Sequence, residues 1–285
     1  MPELPEVETI RRYLSDVLPG QTIRAVRHLD ARMVKHSARP ATWMASALAG
    51  ERFTAIDRQG KFLLLRLKAP ASLVIHLGMS GRLVMEHQDA PWRPHTHLVL
   101  ETGVGELRLS DPRRFGRIAW VEARGDGLPG LGMEPLSTVF SAQRLQHALS
   151  GRKVALKTAL LNQSIVAGLG NIYADEALFR AGLHPQQPAG TLSDTEARRL
   201  VRAVREVLAT SIEHRGTSFS DYVDALGHPG DNQGYLAVYG REGKPCPKCR
   251  RMIERKVLQG RSSHYCPRCQ PLHGNLERGE DFAEF

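Results

Sequence analysis

Pro2, Glu3 and Glu6 stand within the first eight residues, Met1-Pro2-Glu3-Leu4-Pro5-Glu6-Val7-Glu8. An initiator methionine before a residue as small as proline is commonly removed. Removal would leave Pro2 with a free secondary amine. A free α-amine titrates at about 7.7–8.0, so a useful fraction is unprotonated near neutrality. Such an amine can attack an electrophilic carbon and form an iminium, as an activated lysine does. Carboxylates at positions 3 and 6 could carry protons to or from the reacting groups. An ordinary helix start accounts for the same residues. Pro5 suits a first turn, where its missing N–H is not needed, and acids there complement the helix dipole. Taken alone, the helix start is the simpler account.

The cysteines are Cys246, Cys249, Cys266 and Cys269, two Cys-x-x-Cys pairs with sixteen residues between them. This is the spacing of a four-thiolate zinc site. With every ligand position taken by sulfur, one zinc ion would be structural rather than catalytic. A disulfide framework is the alternative, and it suits small secreted domains. Between the pairs lie Arg250, Arg251, Arg255, Lys256 and Arg261, a basic hairpin suited to backbone phosphates, with Arg261 near its tip. A zinc ribbon can also bind protein; the charge favours nucleic acid.

Three further places carry polar or bulky residues in awkward positions. Lys61 starts the apolar run Phe62-Leu63-Leu64-Leu65; a lysine guarding a strand edge is the bland account. His76-Leu77-Gly78-Met79-Ser80-Gly81-Arg82 reads as a tight turn with Met79 near its tip, unless Met79 packs back into the core. Asp111-Pro112-Arg113-Arg114-Phe115-Gly116 is a second turn, presenting two arginines and an aromatic. Arginine beside an apolar wedge is a device for entering a DNA groove; a solvated loop with one anchoring phenylalanine is the alternative.

The elements that would position these residues are readable. Val7, Ile10, Leu14 and Leu18 give one buried helical face, ended by Pro19-Gly20. Glu51–Lys68 reads as two strands around Gln59-Gly60, followed by strands over Leu73–Met85, His97–Leu109 and Ile118–Glu122. A domain boundary is placed in the Gly- and Pro-rich segment Leu128–Pro135. Helices are expected over Ser141–Leu149, from Val154 to Leu161, and over Ile172–Ala181, the last capped by Asn171. Two helices around the turn Val166–Asn171 form a common DNA-docking unit. Ser193-Asp194-Thr195-Glu196 is a capping box opening a helix whose Leu200, Val201, Val204, Leu208 and Ile212 are core. The segment Arg215–Tyr235 has little periodicity, and a loop that long is usually functional. No G-x-G-x-x-G dinucleotide fingerprint is present.

The 285 residues favour two domains. A hydrophobic content of 41% and a mean hydropathy of -0.32 fit a globular protein. There is no membrane-length apolar run and no leader-like start, so no membrane association and a cytoplasmic, nucleoid-associated location are expected. Net charge is +9, pointing to a polyanionic partner. Residues 240–269 carry nine basic and two acidic residues, so the excess gathers there.

Taken together, these motifs resemble the formamidopyrimidine-DNA glycosylase family, enzymes of base-excision repair. The resemblance rests on the N-terminal Pro-Glu-Leu-Pro-Glu-Val-Glu-Thr, Gly60-Lys61, His76–Gly81 and Asp111–Gly116. It extends through Gly168-Leu169-Gly170-Asn171-Ile172-Tyr173-Ala174-Asp175-Glu176, Val238-Tyr239-Gly240-Arg241 and the four cysteines. It implies an α+β fold: an N-terminal β-sandwich domain with flanking helices (1–134), a helix–two-turn–helix domain (135–239) and a β-hairpin zinc finger (240–269), then a flexible tail (270–285). Double-stranded DNA holding oxidised bases or abasic sites would lie between the domains of a monomer. Pro2 would attack C1′ of the damaged nucleotide, Glu3 would protonate the ring oxygen, Glu6 would position the reacting end, and Lys61 and Arg261 would complete the catalytic set. Met79, Arg113 and Phe115 would fill the gap left by the flipped nucleotide, and His76, His95, Lys157, Asn171 and Arg261 would contact DNA. Two departures stand out: Gly230–Tyr235 lacks the aromatic pair that follows Pro-Gly in the family, and 270–285 extends past the usual end. Leu4 is similar to the oxidised-purine enzymes. An endonuclease VIII-like enzyme for oxidised pyrimidines and a non-enzymatic damage binder are the alternatives.

Overall fold

The computed structural model describes residues 2–122, 128–219 and 221–272. Of the expected tail 270–285, Gln270 is buried and bonds Cys266 and Leu183 rather than being free, and the part beyond Leu272 lies outside the described residues. The chain divides into two compact units. The first comprises Met1–Val139, Asn162–Gly170 and Arg205–Leu236, and the second Phe140–Leu161, Asn171–Val204 and Ala237–Phe285.

The first unit is a sandwich of two four-stranded antiparallel sheets. Strands β1 (Ala25–Leu29), β6 (Thr96–Thr102), β7 (Gly105–Ser110) and β5 (Arg82–Glu86) form one sheet in that order. The other runs β2 (Phe53–Gln59), β3 (Phe62–Leu67), β4 (Ala71–His76), β8 (Arg117–Glu122). Leu63, Leu65, Leu73, Ile75, Ile118 and Trp120 share the inner face of this second sheet and join one core with Leu83, Leu98, Leu100, Leu107 and Leu109 of the first. The intervening Leu64, Val74 and Ala119 are also buried, against Phe62, Val121 and Leu128 on the outer face. Both faces are covered, which is why β3 reads as a continuous apolar run.

Helix α1 (Leu4–Val17) buries Val7, Ile10 and Leu14 in the same core, as their spacing requires. The expected strands over 73–85 and 97–109 are each two strands, broken at 77–81 and 103–104. Strand β1 and helix α2 (Ala41–Leu48) are additions.

The second unit holds α3 (Ala142–Leu149), α4 (Leu156–Leu161), α5 (Asn171–Ala181) and the start of α6 (Asp194–Glu213). Ser141 caps α3 by accepting the Arg144 N–H at 3.3 Å. The Ser193–Glu196 box closes in both directions, with Ser193 N–H to Glu196 Oε2 at 2.9 Å and Glu196 N–H to Ser193 Oγ at 3.3 Å. Strands β9 (Glu254–Leu258) and β10 (Arg261–Tyr265) form the terminal hairpin.

Candidate active site and zinc centre

The N-terminal stretch is a helix start, and its capping carboxylates stand beside Pro2. Glu3 is the N-cap of α1 and Glu6 its reciprocal capping-box partner. Glu6 Oε2 accepts the Glu3 N–H at 2.7 Å, and Oε1 accepts the Thr217 N–H at 2.8 Å. Pro2, Glu3 and Glu6 are all buried. Beside them the Tyr222 hydroxyl reaches the carbonyl oxygen of Arg215 at 3.1 Å. Burial, then the Glu6 charge, pushes that hydroxyl well above its ordinary pKa, so it remains a donor.

Glycines make the seat for this segment. The Leu4 N–H donates to the Gly168 carbonyl at 3.0 Å. A Cβ on Gly168, at φ +83°, would meet the Leu4 side chain at 2.8 Å. One on Gly170 would lie 2.2 Å from Glu3 Cδ, and one on Gly216 2.8 Å from Glu6 Oε1. Backbone therefore touches both carboxylates directly. The loop containing Gly216 has a structural task that its sequence does not announce.

Lys61 is buried, 8% exposed, and β3 is an interior strand, so it is not an edge guard. The preceding Gly60 is held at both polar groups. Its N–H donates to Glu134 Oε2 at 2.9 Å, and its carbonyl accepts from Arg58 Nη1 at 3.1 Å. Arg58 is itself clamped by Glu8 at 2.9 Å and Glu134 at 2.7 Å. Burial pushes the Glu8 carboxyl up, but hydrogen bonds from Arg11 and Arg58 outweigh it and hold it at about 2. Arg58, Glu8 and Glu134 were not singled out in the sequence; an arginine inside a strand was the available signal.

His76 closes β4, and its Nδ1 accepts the Gly78 N–H at 3.1 Å. Burial, reinforced by Arg117 and Lys61, lowers its pKa to about 4, so the ring is a neutral acceptor at pH 7. Met79 and Phe115 are 36% and 53% exposed, so neither is a core anchor, and the Arg113 guanidinium lies 4.6 Å from the Phe115 ring centre. His95 is exposed in a left-handed conformation, φ +61°. All these residues, with Pro2, Glu3, Glu6 and Lys61, belong to the first unit.

The second unit gathers Lys157, Asn171 and Arg261 around one hairpin. Gln259 and Gly260, both at positive φ, form its two-residue turn, and exposed Arg261 follows. Asn171 does not cap α5. Its amide donates to Ser262 Oγ at 3.3 Å, and its buried Oδ1 has no partner among the described residues. Lys157 is 1% exposed and pairs with Asp175 at 2.7 Å while donating to the Ser262 carbonyl. Asp175 also accepts the His264 N–H at 2.9 Å. The structure thus places Lys157 under the hairpin rather than on the surface. Glu176, one residue on, accepts the N–H groups of Ala237, Val238 and Tyr239 at 2.8–2.9 Å.

The four cysteine sulfurs lie within 4.8 Å of one another. Cys246–Cys269 and Cys249–Cys266 separations of 3.9 and 3.4 Å exclude disulfides, whose S–S length is about 2.05 Å. A tetrahedral ion with Zn–S bonds of about 2.3 Å sets sulfurs about 3.8 Å apart, so the quartet fits one structural zinc. Ile253, Phe179 and Val238 pack around it.

A two-sheet sandwich, a helical unit and a four-cysteine finger make up the described residues. The chain matches the formamidopyrimidine-DNA glycosylase N-terminal domain over residues 1–118, the H2TH domain of the same enzymes over 131–223, and the zinc finger found in FPG and IleRS over 243–272. It is 48% identical to a formamidopyrimidine-DNA glycosylase of Symbiobacterium thermophilum, over 95% of this chain and 90% of that one. It is 48% identical to that of Thermus thermophilus, over 95% and 98%. A crystal structure of the Thermus thermophilus MutM (Fpg) protein superposes with a TM-score of 0.83 at 45% identity, covering 96% of this chain and 100% of that one. A Lactococcus lactis Fpg mutant in complex with Fapy-dG-containing DNA gives 0.87 at 34% identity, covering 95% and 100%. The chain belongs to the formamidopyrimidine-DNA glycosylase family. Among the described residues no helix is long and apolar enough to cross a membrane.

Proposed function

We propose that this protein excises oxidised purines from double-stranded DNA and cleaves the strand at the resulting site, using Pro2 as nucleophile. The observation that carries the reading is the seat of Pro2 and Glu3: a buried N-terminal segment whose neighbouring carboxylate is held against the bare Cα of Gly170. The Pro2 amine, once Met1 is removed, gives its electron pair to C1′. The glycosidic bond breaks and its pair leaves with the base. Glu3 gives a proton to the ring oxygen as the sugar opens to the iminium. Loss of a C2′ proton then expels the 3′ phosphate, and a second elimination expels the 5′ phosphate. Lys61, fixed by the Gly60 clamp, supplies positive charge beside the reacting nucleotide. The base must leave the stack to be reached, and Met79, Arg113 and Phe115 occupy the space it vacates. Asn171 and Arg261 hold flanking phosphates. The zinc when bound supplies rigidity to the hairpin that carries Arg261. A cytoplasmic, nucleoid-associated location follows from this substrate.

Borohydride trapping with a duplex holding one 8-oxoguanine opposite cytosine tests the reading. A covalent protein–DNA band, lost in Pro2→Gly, is expected. A band only with oxidised-pyrimidine or abasic duplexes would move the specificity to the endonuclease VIII-like reading. A Lactococcus lactis Fpg has been seen in complex with oxidised-pyrimidine-containing DNA. No band on any duplex, from protein shown to lack Met1 and to hold zinc, would sink the enzyme.

A further inference from the structure

The turns carrying Met79 and Phe115 are welded into one body. Ser80 Oγ donates to Asp111 Oδ1 at 2.6 Å, across 31 residues of sequence. Asp111 is fully buried, and its Oδ2 accepts the Gly116 N–H at 2.8 Å. One carboxylate thus bonds to the residue after Met79 and to the residue after Phe115. The backbones also touch. A Cβ on Gly78 would lie 2.5 Å from Gly116 N and from the Phe115 carbonyl carbon. On Gly116 it would lie 2.8 Å from the His76 carbonyl oxygen. Lys35 braces the second turn from behind, its Nζ donating to the Arg114 carbonyl at 2.8 Å. That contact holds a residue at φ +52°, a conformation arginine rarely adopts. His97 secures the base, bridging Asp30 at 3.0 Å and the Asp111 carbonyl at 2.9 Å.

We infer that Met79 and Phe115 act as a single rigid wedge, and that Ser80 and Asp111 are the positioning residues that make them one. The inference rests on the function proposed above. Two exposed apolar side chains on independent turns would each lose rotational and backbone freedom on entering a duplex. Joined through a buried, fully bonded carboxylate, they enter in one fixed geometry, and ordering the first orders the second. Neither Ser80 nor Asp111 needs to touch DNA for this. An acid with no solvent exposure and both oxygens bonded is rigid enough to transmit the position of one turn to the other.

The test is a double-mutant cycle on base excision from duplex. Single-turnover rates on an 8-oxoguanine duplex are measured for Met79→Ala, Phe115→Ala and the pair, first in the parent chain and then with Ser80→Ala. If the wedge is one body, the two truncations are strongly non-additive in the parent. Their coupling falls at least threefold once Ser80→Ala has removed the side-chain link, with the Gly78–Gly116 backbone contact remaining. Ser80→Ala alone should slow duplex excision about tenfold, the worth of one buried hydrogen bond. It should leave cleavage of an abasic site in single-stranded DNA unchanged, because no base has to be levered from a partner strand. Ser80→Thr should restore the duplex rate. Additivity already in the parent, or equal losses on duplex and single strand, would overturn the inference while trapping on the abasic strand kept the function intact. A parent protein inert on every DNA would overturn both.

Discussion

The Glu3 carboxylate occupies the place where a side chain at Gly170 would begin: a Cβ there would lie 2.2, 2.4 and 2.6 Å from its Cδ, Oε1 and Oε2. Glycine at 170 is therefore a condition for Glu3 to sit where it does. The nearby Gly168 serves Leu4 in the same way, at 2.8 Å.

Gly170→Ala is thus expected to displace the Glu3 carboxylate by a large fraction of an ångström. Misplacements of that order cost about a hundredfold in rate. Single-turnover excision should fall by about that factor, whereas duplex affinity, measured by anisotropy, should change less than threefold. An active Gly170→Ala enzyme would show that Glu3 is free to move without loss.

Arg261 and Lys157 should separate cleanly. In the function proposed above, exposed Arg261 contacts a phosphate, so Arg261→Ala should weaken DNA binding and lower the slope of log affinity against log salt by about 0.9. Lys157 is paired with Asp175 beneath the hairpin. Lys157→Met leaves that buried acid uncompensated, at a cost of about 3–5 kcal/mol. It should appear as a lower melting temperature with little change in salt slope. Equal salt slopes for Arg261→Ala and the parent would remove Arg261 from the phosphate contacts.

Acid stability should carry the mark of His76. Its folded pKa of about 4 lies below the ordinary value of 6.5. Above pH 6.5 neither folded nor unfolded chain holds the proton, and the full stability is present. As pH falls through 6.5 the unfolded chain takes up a proton that the folded chain refuses until about 4. Stability is lost across that window, by up to about 3 kcal/mol from this residue. Burial depresses His184 to about 4 as well, with the same sign. Urea titrations from pH 7.5 to 4.5 should show the decline, and His76→Gln should make it shallower.

Removing zinc should free the terminal hairpin. Elemental analysis should find one zinc per chain, and chelation or Cys249→Ser should lower duplex affinity at least tenfold. The sandwich has its own core, so its melting transition should survive chelation. A chelated protein that binds duplex normally would show that the hairpin needs no metal.

The sequence by itself determined much of this protein. The helical spacing of Val7, Ile10 and Leu14, the capping box at Ser193, the cysteine quartet and the turns around Met79 and Phe115 are local patterns. Local geometry with a fixed period or spacing is legible without a fold. The splitting of 73–85 and 97–109 into strand pairs was not, because β4 is covered on both faces and β6 and β7 are buried at the consecutive positions Leu98–Leu100 and Leu107–Leu109, so alternation is lost. Tertiary structure alone decided which distant glycines face which carboxylates. It brought Gly168–Gly170 and Gly216–Thr217 into the first unit, against Glu3, Leu4 and Glu6. It gave Asp111 to Ser80, Arg58 to Glu8 and Glu134, and Lys157 to Asp175. Those partners lie 18 to 76 residues apart at their closest and farthest, 157 to 175 and 58 to 134. A buried charge must find an opposite charge or a donor. Which one it finds is set by how the layers pack, a quantity that no local stretch of sequence contains.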